Sequence, residues 1–359
     1  MNASNELRTL PETSPPAGLG GKLAAAQTAL ESALRTTAWL VRDTFRQSLA
    51  SGLCWFLFGL STVCILVCFS ASLSAPPSFA PPGENPDFLP RFDADAHNPH
   101  KLKQSGTVVA DGKLSLAFGM LHVPVARDAR DAVHFLQLIL AAGVADTLGL
   151  LLALVWTAGF LPGFLDSRAV SVLLAKPVPR WGLLWGKYLG VLCFVLVQAT
   201  YFVVGTWLAL ALRTGVWEPS YLLSVPLLLL HFAIFFSFSL LLAVLTRSTV
   251  VCVFGSIAFW GICWGMNYGR QALGSGSDLA SQGGLSPLLV RLADFGYWVL
   301  PKPIDLGRLV FDALGAGSHF QAPIGSASAT SLCLSVLTSL LFTGYILLAA
   351  GRQFTQMDY

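Results

Sequence analysis

Two ionisable side chains stand inside long apolar stretches of the sequence, where a charge is costly and therefore informative. Asp146 interrupts the run 133–161, and His231 lies in the middle of the run 221–245. A carboxylate or an imidazole at membrane depth must face a protein interior, a cavity or a partner group. The two side chains could pair. With Gln198 they are our candidates for a polar substrate path, and the alternative is a purely structural, hydrogen-bonded carboxylate.

A second group of polar residues lies in the segment 162–187, between two apolar runs. It carries Asp166, Arg168, Lys176, Arg180 and Lys187. A side chain near its start can cap a short helix, and the proline that follows Lys176 would end it. A rigid basic element of this kind, held at both ends, suits docking on another protein. An ordinary basic loop at a membrane surface is the alternative.

Sequence signatures of catalysis are missing. Gly20-Gly21-Lys22 and Gly186-Lys187 lack the spacing of a phosphate-binding loop, and no nucleophile elbow or H-E-x-x-H motif occurs. The six histidines are scattered, and the seven cysteines fall inside apolar runs without metal-ligand spacing. We therefore expect no cofactor, no metal site and no catalysis in this chain. Any ATP hydrolysis must occur on another chain.

The elements that position these residues are six long apolar runs. They extend over residues 53–73, 133–161, 188–212, 221–245, 249–268 and 326–350. About 20 helical residues cross a hydrocarbon core of about 30 Å. Hydrophobic residues make up 54% of the chain and charged residues 11%, which excludes an ordinary soluble domain. The fold class that we predict is an all-α integral membrane protein with six transmembrane helices.

The remaining segments divide the chain further. We expect a disordered N-terminus at 1–21, an amphipathic helix lying in the membrane interface at 22–50, and a six-span transmembrane domain at 51–350 with a tail at 351–359. Within the transmembrane domain, the segment 74–131 is expected outside the membrane, with a small β hairpin that turns at Asp111-Gly112. The segment 269–325 is expected to form an amphipathic helix or a re-entrant pair at the outer interface.

The distribution of Lys and Arg predicts which side faces the cytoplasm. Basic residues in the segment 162–187, at Arg247, at Arg352 and before the first apolar run all fall on one side. Long loops contribute little to this rule. Both termini are therefore expected in the cytoplasm, and the two long segments outside. The net charge of +3 is too small to indicate binding to nucleic acid.

The run Leu173-Leu174-Ala175-Lys176-Pro177-Val178-Pro179-Arg180, followed by Gly186-Lys187-Tyr188-Leu189-Gly190, resembles the cytoplasmic loop of type-2 ATP-binding-cassette (ABC) permeases. The plan of the chain is also similar: an N-terminal interfacial helix, six spans, a large outer loop after the first span and amphipathic outer helices before the last. Val299-Leu300-Pro301 lies in a region similar to that outer segment.

The resemblance implies a mechanism and partners. Two permease copies would pair in the cytoplasmic (inner) membrane, surrounded by lipid, above two separate ABC ATPase subunits that drive substrate export. The loop between the second and third spans would dock on the ATPase through a coupling set that comprises Asp166, Arg168, Lys176, Pro177, Arg180 and Lys187. Two alternatives remain: a proton-coupled secondary transporter that uses Asp146 and His231, and a membrane scaffold or assembly factor that transports nothing.

Overall fold

The computed structural model describes residues 35, 37–74, 112–116, 119, 121–125, 129–164, 180–274, 287–314 and 329–356. Within these ranges, six helices are long and apolar enough to cross a membrane, in the order that the sequence predicts. These spans, numbered first to sixth, are Gly52–Phe69, Val133–Phe164, Trp181–Thr214, Pro219–Thr246, Thr249–Gln271 and Leu332–Gln356. The chain is a multi-pass, mostly helical membrane protein.

Several spans continue beyond, or are divided within, these limits. The helices are α1 (37–50), α2 (Gly52–Phe69), α3 (Ala129–Leu138), α4 (Leu150–Thr157), α5 (Phe160–Phe164), α6 (Arg180–Thr214), α7 (Ser224–Thr246), α8 (Thr249–Gly274), α9 (Pro287–Val299), α10 (Pro303–Ala313) and α11 (Ala329–Gln356). A π-helix, Ile139–Gly149, joins α3 to α4, and a short 3₁₀ turn, Pro219–Leu223, precedes α7. Helix α6 begins at Arg180, eight residues before the apolar run that starts at 188.

The fourth span is the centre of the bundle. In its most apolar stretch 61% of the residues are buried, compared with 17% in the fifth span. Its α7 packs against α6, α8 and α11, and Phe236 stacks on Tyr188 of the third span with ring centroids 5.6 Å apart. The turn into the fifth span is tight, as the three-residue gap between the apolar runs 221–245 and 249–268 requires. Arg247 ends α7 in the left-handed region, with φ 52°.

The N-terminal helix lies against the third span, and its predicted placement in the membrane interface is not supported. Leu40 approaches Gly186, Thr44 approaches Gly190, and the ring of Phe45 lies 5.1 Å from that of Phe194. Later residues of α1 contact later residues of α6, so the two helices run in the same general direction. The sequence was misleading because the helix buries a face centred on Leu40, Thr44 and Ser48, two of which are polar. Residues 22–34 lie outside the described residues.

The β hairpin predicted around Asp111-Gly112 is not supported, because Gly112 lies in a strand and pairs with Val125. The described residues form a three-stranded antiparallel sheet in the order β1 (Ser72–Ser74), β2 (Gly112–Leu116), β3 (Leu121–Val125). The chain turns between Leu116 and Leu121, where Gly119 has a φ of 90° that suits glycine. Alternating apolar residues in β3 offered a partner strand that the prediction overlooked.

The described part of the amphipathic segment before the sixth span contains two helices that follow α8. They are α9 and α10, separated by Leu300–Lys302 with Pro301 between them. Helix α10 contacts the second, fourth, fifth and sixth spans and buries Leu306, Val310 and Phe311. It is therefore an internal element of the bundle, and not a helix that only covers its surface.

Candidate functional site

Asp146 and His231 form a buried pair between the second and fourth spans. His231 Nδ1 lies 2.5 Å from Asp146 Oδ1, and both side chains are more than nine-tenths buried. Asp146 belongs to the π-helix Ile139–Gly149, and His231 lies one turn before the buried Phe235 in α7. The pairing satisfies two groups whose separate burial would cost several kcal/mol.

The π-helix determines where the carboxylate points. In a π-helix each amide bonds five residues back, so the helix is wider than an α-helix; such stretches occur frequently at functional sites. Thr147 Oγ1 follows the same spacing and donates to the carbonyl of Ala142 at 3.2 Å. The π-helix is therefore the part of the second span that carries the buried carboxylate of Asp146.

The pair is not saturated with hydrogen bonds. His231 Nε2 is buried and has no hydrogen-bond partner among the residues that the structure describes. The other ring nitrogen faces the carboxylate, which favours a proton on Nδ1. Nε2 is then the atom at which the imidazole can accept a proton or a hydrogen bond from a ligand.

Helix α10 lies directly against this pair. A Cβ atom built on Gly307 would be 3.2 Å from Asp146 Oδ2, which is closer than most Cβ contacts. The absence of a side chain at this position therefore allows α10 to approach the carboxylate. A larger residue at position 307 would therefore press on Asp146.

A second buried carboxylate holds α10 in place. Asp305 accepts hydrogen bonds from Gln271 Nε2 at 2.6 Å, from Tyr297 Oη at 2.9 Å and from Ser335 Oγ at 2.8 Å. The three donors belong to α8, α9 and the sixth span. One carboxylate thus ties four helices together. This set of contacts, here called the Asp305 network, was not predicted from the sequence. Its only signal was an acidic residue in the first turn of α10, which is otherwise amphipathic.

Cationic groups and aromatic rings complete the network. Lys302 is 1% exposed, donates to Thr338 Oγ1 and lies 4.6 Å from the centre of the Tyr297 ring. Arg270 lies 4.5 Å from the centre of the same ring and pairs with Asp294. Burial lowers the pKa of Lys302, and the nearby Asp305 opposes that change. Burial also raises the pKa of Tyr297 above its ordinary value.

Gln198 is not part of this region as far as its described contacts show. Its Nε2 donates to Ser61 Oγ at 2.9 Å and to the carbonyl of Leu57 at 3.3 Å. Both acceptors belong to the first span, so Gln198 joins the first and third spans. Hydrogen bonds of this kind between apolar helices are typical of interhelical packing.

The proposed coupling residues divide into three groups. Asp166, Arg168, Lys176 and Pro177 lie outside the described residues. Arg180 is the first residue of α6. Lys187 has a fully buried side chain, so it presents no surface for a docking partner in this conformation.

Lys187 instead joins α1 to the third span. Its Nζ donates to Gln47 Oε1 at 2.6 Å and lies 3.6 Å from Asp43 Oδ2. Close packing supports the same junction: a Cβ on Gly190 would be 2.7 Å from Thr44 Oγ1 and 3.3 Å from Val41 Cα. The helix that follows the basic loop is therefore attached to the helix that precedes the first span.

The comparison with family models decides the class of the protein. The model described as "ABC-2 family transporter protein" matches residues 38–359, from α1 to the end of the chain. The chain belongs to the ABC-2 family. As an ABC-2 permease it is a membrane component of a transporter and not itself an enzyme, and the family in general works with an ABC ATPase. No curated protein matches the chain significantly.

Proposed function

We propose that this ABC-2 permease is the membrane subunit of an exporter, in which ATP hydrolysis on a separate subunit moves a substrate out of the cell across the cytoplasmic membrane. The match to the family over residues 38–359, together with six spans, carries this proposal. Both termini and the loop 162–187 face the cytoplasm in this arrangement. Two permease copies and two ATPase subunits form the complex.

The third span supports the coupling step. Helix α6 has 35 residues, which gives a length of about 52 Å, compared with about 30 Å for the hydrocarbon core. Its apolar run starts only near Tyr188, so its first two turns project from the membrane on the cytoplasmic side. They follow directly after the basic loop. A displacement of the loop is therefore transmitted along α6, a rigid helix that continues through the membrane.

The junction at Lys187 transmits the displacement of α6 to the N-terminal helix α1. Because Asp43 and Gln47 hold Lys187, and glycines bring α1 close to α6, the two helices move together. The first span follows α1 after the single residue Ser51. ATPase closure would thus act on the first and third spans at once, while Asp166, Arg168, Lys176, Pro177 and Arg180 make the contact with the ATPase.

The first experiment tests the partner. The full chain is purified in mild detergent from its own host with its associated proteins, and these are identified. A P-loop ATPase is the expected partner. Recovery of the chain alone, from preparations in which it remains folded, would contradict the proposed exporter.

The second experiment tests the contact. Reversing the charges at Arg168 and Arg180 together should lower the ATP hydrolysis that the permease stimulates in the reconstituted complex, without unfolding the permease. The matched control is Arg352→Glu, an exposed basic residue near the end of α11. An equal loss of stimulated ATP hydrolysis in the control, or unchanged stimulation in the double variant, would refute the docking assignment.

A second candidate, the proton-coupled transporter, is favoured by one observation: a buried Asp146–His231 pair in which one imidazole nitrogen has no partner among the described residues. In that case the chain alone, reconstituted in liposomes with a trapped pH-sensitive dye, should take up protons when a proton gradient is imposed. Asp146→Asn should abolish the uptake. Uptake that does not depend on Asp146, or no uptake, would exclude this candidate and leave the ATP-driven one.

A further inference from the structure

The start of α6 packs against a second helix besides α1. A Cβ atom built on Gly351 of α11 would lie 2.3 Å from Cη2 of the Trp181 ring, 2.5 Å from Cζ3 and 2.6 Å from Cζ2. Real Cβ atoms essentially never approach other atoms this closely. The benzene part of the indole therefore occupies the space that any side chain at position 351 would need. Trp181 is the second residue of α6 and follows the proposed docking residue Arg180.

Apolar packing extends this contact along both helices. Leu184 and Tyr188 of α6 line one small gap between the helices together with Leu347 of α11, and all three side chains are buried. At about 100° per residue, this face of α6 lies about 180° away from Gly186 and Gly190, which contact α1. The start of α6 is therefore held between two helices, with α1 on one side and the sixth span on the other.

The opposite end of α11 carries contacts to α10. Ser335 Oγ donates to Asp305 Oδ2 at 2.8 Å, and Thr338 Oγ1 accepts a hydrogen bond from Lys302 Nζ. Helix α11 is continuous and contains no proline, and its 28 residues give a length of about 42 Å. Sharp kinks in helices occur mainly at proline or where the hydrogen bonding is interrupted. A displacement at Gly351 is therefore carried along a rigid helix to the residues that hold α10.

The position of the Trp181 ring distinguishes this contact from packing deeper in the bundle. Trp181 lies seven residues before Tyr188, where the apolar run of the third span begins, so a displacement of the docking residues reaches it first. The residues on both sides of Gly351 carry side chains, so the ring fits over the glycine and not over its neighbours. Helix α6 and the sixth span are therefore fixed to each other at this point.

We propose that Trp181 is a positioning residue for the coupling of ATP hydrolysis, and that its contact with Gly351 makes the sixth span follow a displacement of the loop 162–187. The sixth span then moves α10 relative to the second span, where the two meet at Gly307 and Asp146. The inference rests on the proposed ATP-driven function. It adds a route through the sixth span to the route through α1.

The experiment measures the movement of α10 against the second span in the reconstituted complex of the full-length permease and its ATPase. Ketone-bearing amino acids that carry nitroxide labels replace Leu148, which is 58% exposed in the π-helix, and Asp312, which is exposed on α10. The native cysteines then stay in place. Double electron–electron resonance, on labelled permease diluted with unlabelled copies, gives the distance between the two labels. We expect this distance to shift when the ATPase is trapped with vanadate.

Three variants test the contact between Trp181 and Gly351. Gly351→Leu places a side chain where the indole lies, and the shift on trapping should be lost. The double variant Trp181→Ala/Gly351→Leu removes the indole, so the leucine can fill the space and most of the shift should return. The matched control is Gly344→Leu on the same helix, where a Cβ atom would meet nothing within 4 Å in the described part of the chain. This control should retain the shift.

A shift that persists in Gly351→Leu would overturn the proposal, because the contact would then only pack two helices together. The proposal would also be wrong if the unsubstituted permease stimulates ATP hydrolysis without any shift between the labels. A permease that neither binds nor stimulates an ATPase would instead contradict the proposed function, and this inference with it.

A further variant keeps the test informative if Gly351→Leu does not fold. Trp181→Ala alone removes the indole without any steric overlap, and circular dichroism verifies that the chain is folded. The folded variant should still bind the ATPase but lose most of the shift on trapping. A full shift in folded Trp181→Ala would overturn the assignment of Trp181 as a positioning residue.

Discussion

Two buried carboxylates, Asp305 and Asp146, lie where α10 packs against the spans, and they illustrate two uses of an acidic side chain inside a membrane protein. Asp305 belongs to α10 and receives three hydrogen bonds from three other helices. Asp146 faces α10 from the second span and pairs with His231, whose second nitrogen has no partner among the described residues. The first carboxylate accepts hydrogen bonds on both of its oxygens and fixes the helix. The second leaves one atom of its pair available for a proton or a ligand.

The difference has a physical cause. A carboxylate that accepts hydrogen bonds from three helices resists displacement, because removing it leaves the donors without their acceptor. An incompletely satisfied pair stores a cost that binding or protonation can relieve. Helix α10 touches both, through Asp305 and through Gly307. It therefore lies between a fixed contact and one that can change, and the predictions below test this contrast.

The largest effect is expected from Asp305→Ala. It leaves Gln271, Tyr297 and Ser335 without their acceptor, which should lower the free energy of unfolding by about 3 kcal/mol or more. Unfolding of the purified chain, followed by circular dichroism during titration with a denaturing detergent, measures the change. Asp312→Ala is the control, since Asp312 is exposed on the same helix. Similar stabilities of the two variants would contradict the role of the network.

A smaller loss of stability, about 1 kcal/mol, is expected from Asp146→Asn, because the amide oxygen can still accept the hydrogen bond from His231 Nδ1. The variant should fold and express normally but change the ATP hydrolysis rate of the reconstituted complex, since the pair loses its negative charge. His231→Gln provides the matching change on the other side. If Asp146→Asn destabilises the chain as much as Asp305→Ala, the contrast between the two carboxylates fails and a structural role is indicated.

Lys302, beside the Asp305 network, should make the stability of the chain depend on pH. Its pKa in the folded chain is lowered below the ordinary value of 10.5, mainly because it is buried. Between the folded and unfolded pKa values the unfolded chain binds more protons, so stability should rise with pH up to about 10.5. Lys302→Met should remove this rise. Lys302→Arg, which stays charged, separates loss of titration from loss of charge, and the same slope in wild type and Lys302→Met would contradict the assignment.

The smallest effect is expected at Gln198. Replacing it with leucine removes its hydrogen bonds to the first span and should cost about 0.6 kcal/mol, the average for such contacts in membranes. A double-mutant cycle with Ser61→Ala isolates the pairwise contribution. A large change in ATP hydrolysis with little change in stability would return Gln198 to the substrate path that the sequence suggested.

The sequence predicted the spans well because each depends on a local property. Apolar runs such as 221–245 are long enough to cross a bilayer whatever their neighbours, and the structure has a span at each predicted position. The tight turn at Arg247 was equally local. The start of the third span was less predictable, because Lys187 comes just before the apolar run 188–212 but does not interrupt the helix, which begins at Arg180.

The contacts of the candidate site could be predicted only in part. A pairing of Asp146 with His231 was foreseeable, since two costly groups at similar depth have few other partners. The Asp305 network was not, because its members are 8 to 34 residues from Asp305 in the sequence and most are ordinary polar residues. The burial of Lys187 was hidden for the same reason: its partner Gln47 is 140 residues away.

That separation also sets the order in which the chain can assemble. The partner of Gln47 is made 140 residues later, which corresponds to roughly 7 to 28 seconds of synthesis at about 5–20 residues per second. During this interval α1 has left the ribosome without the helix that covers Leu40, Thr44 and Ser48. The first span is inserted before α1 can pack against the third span, so the contact between α1 and α6 forms only after the third span has been made.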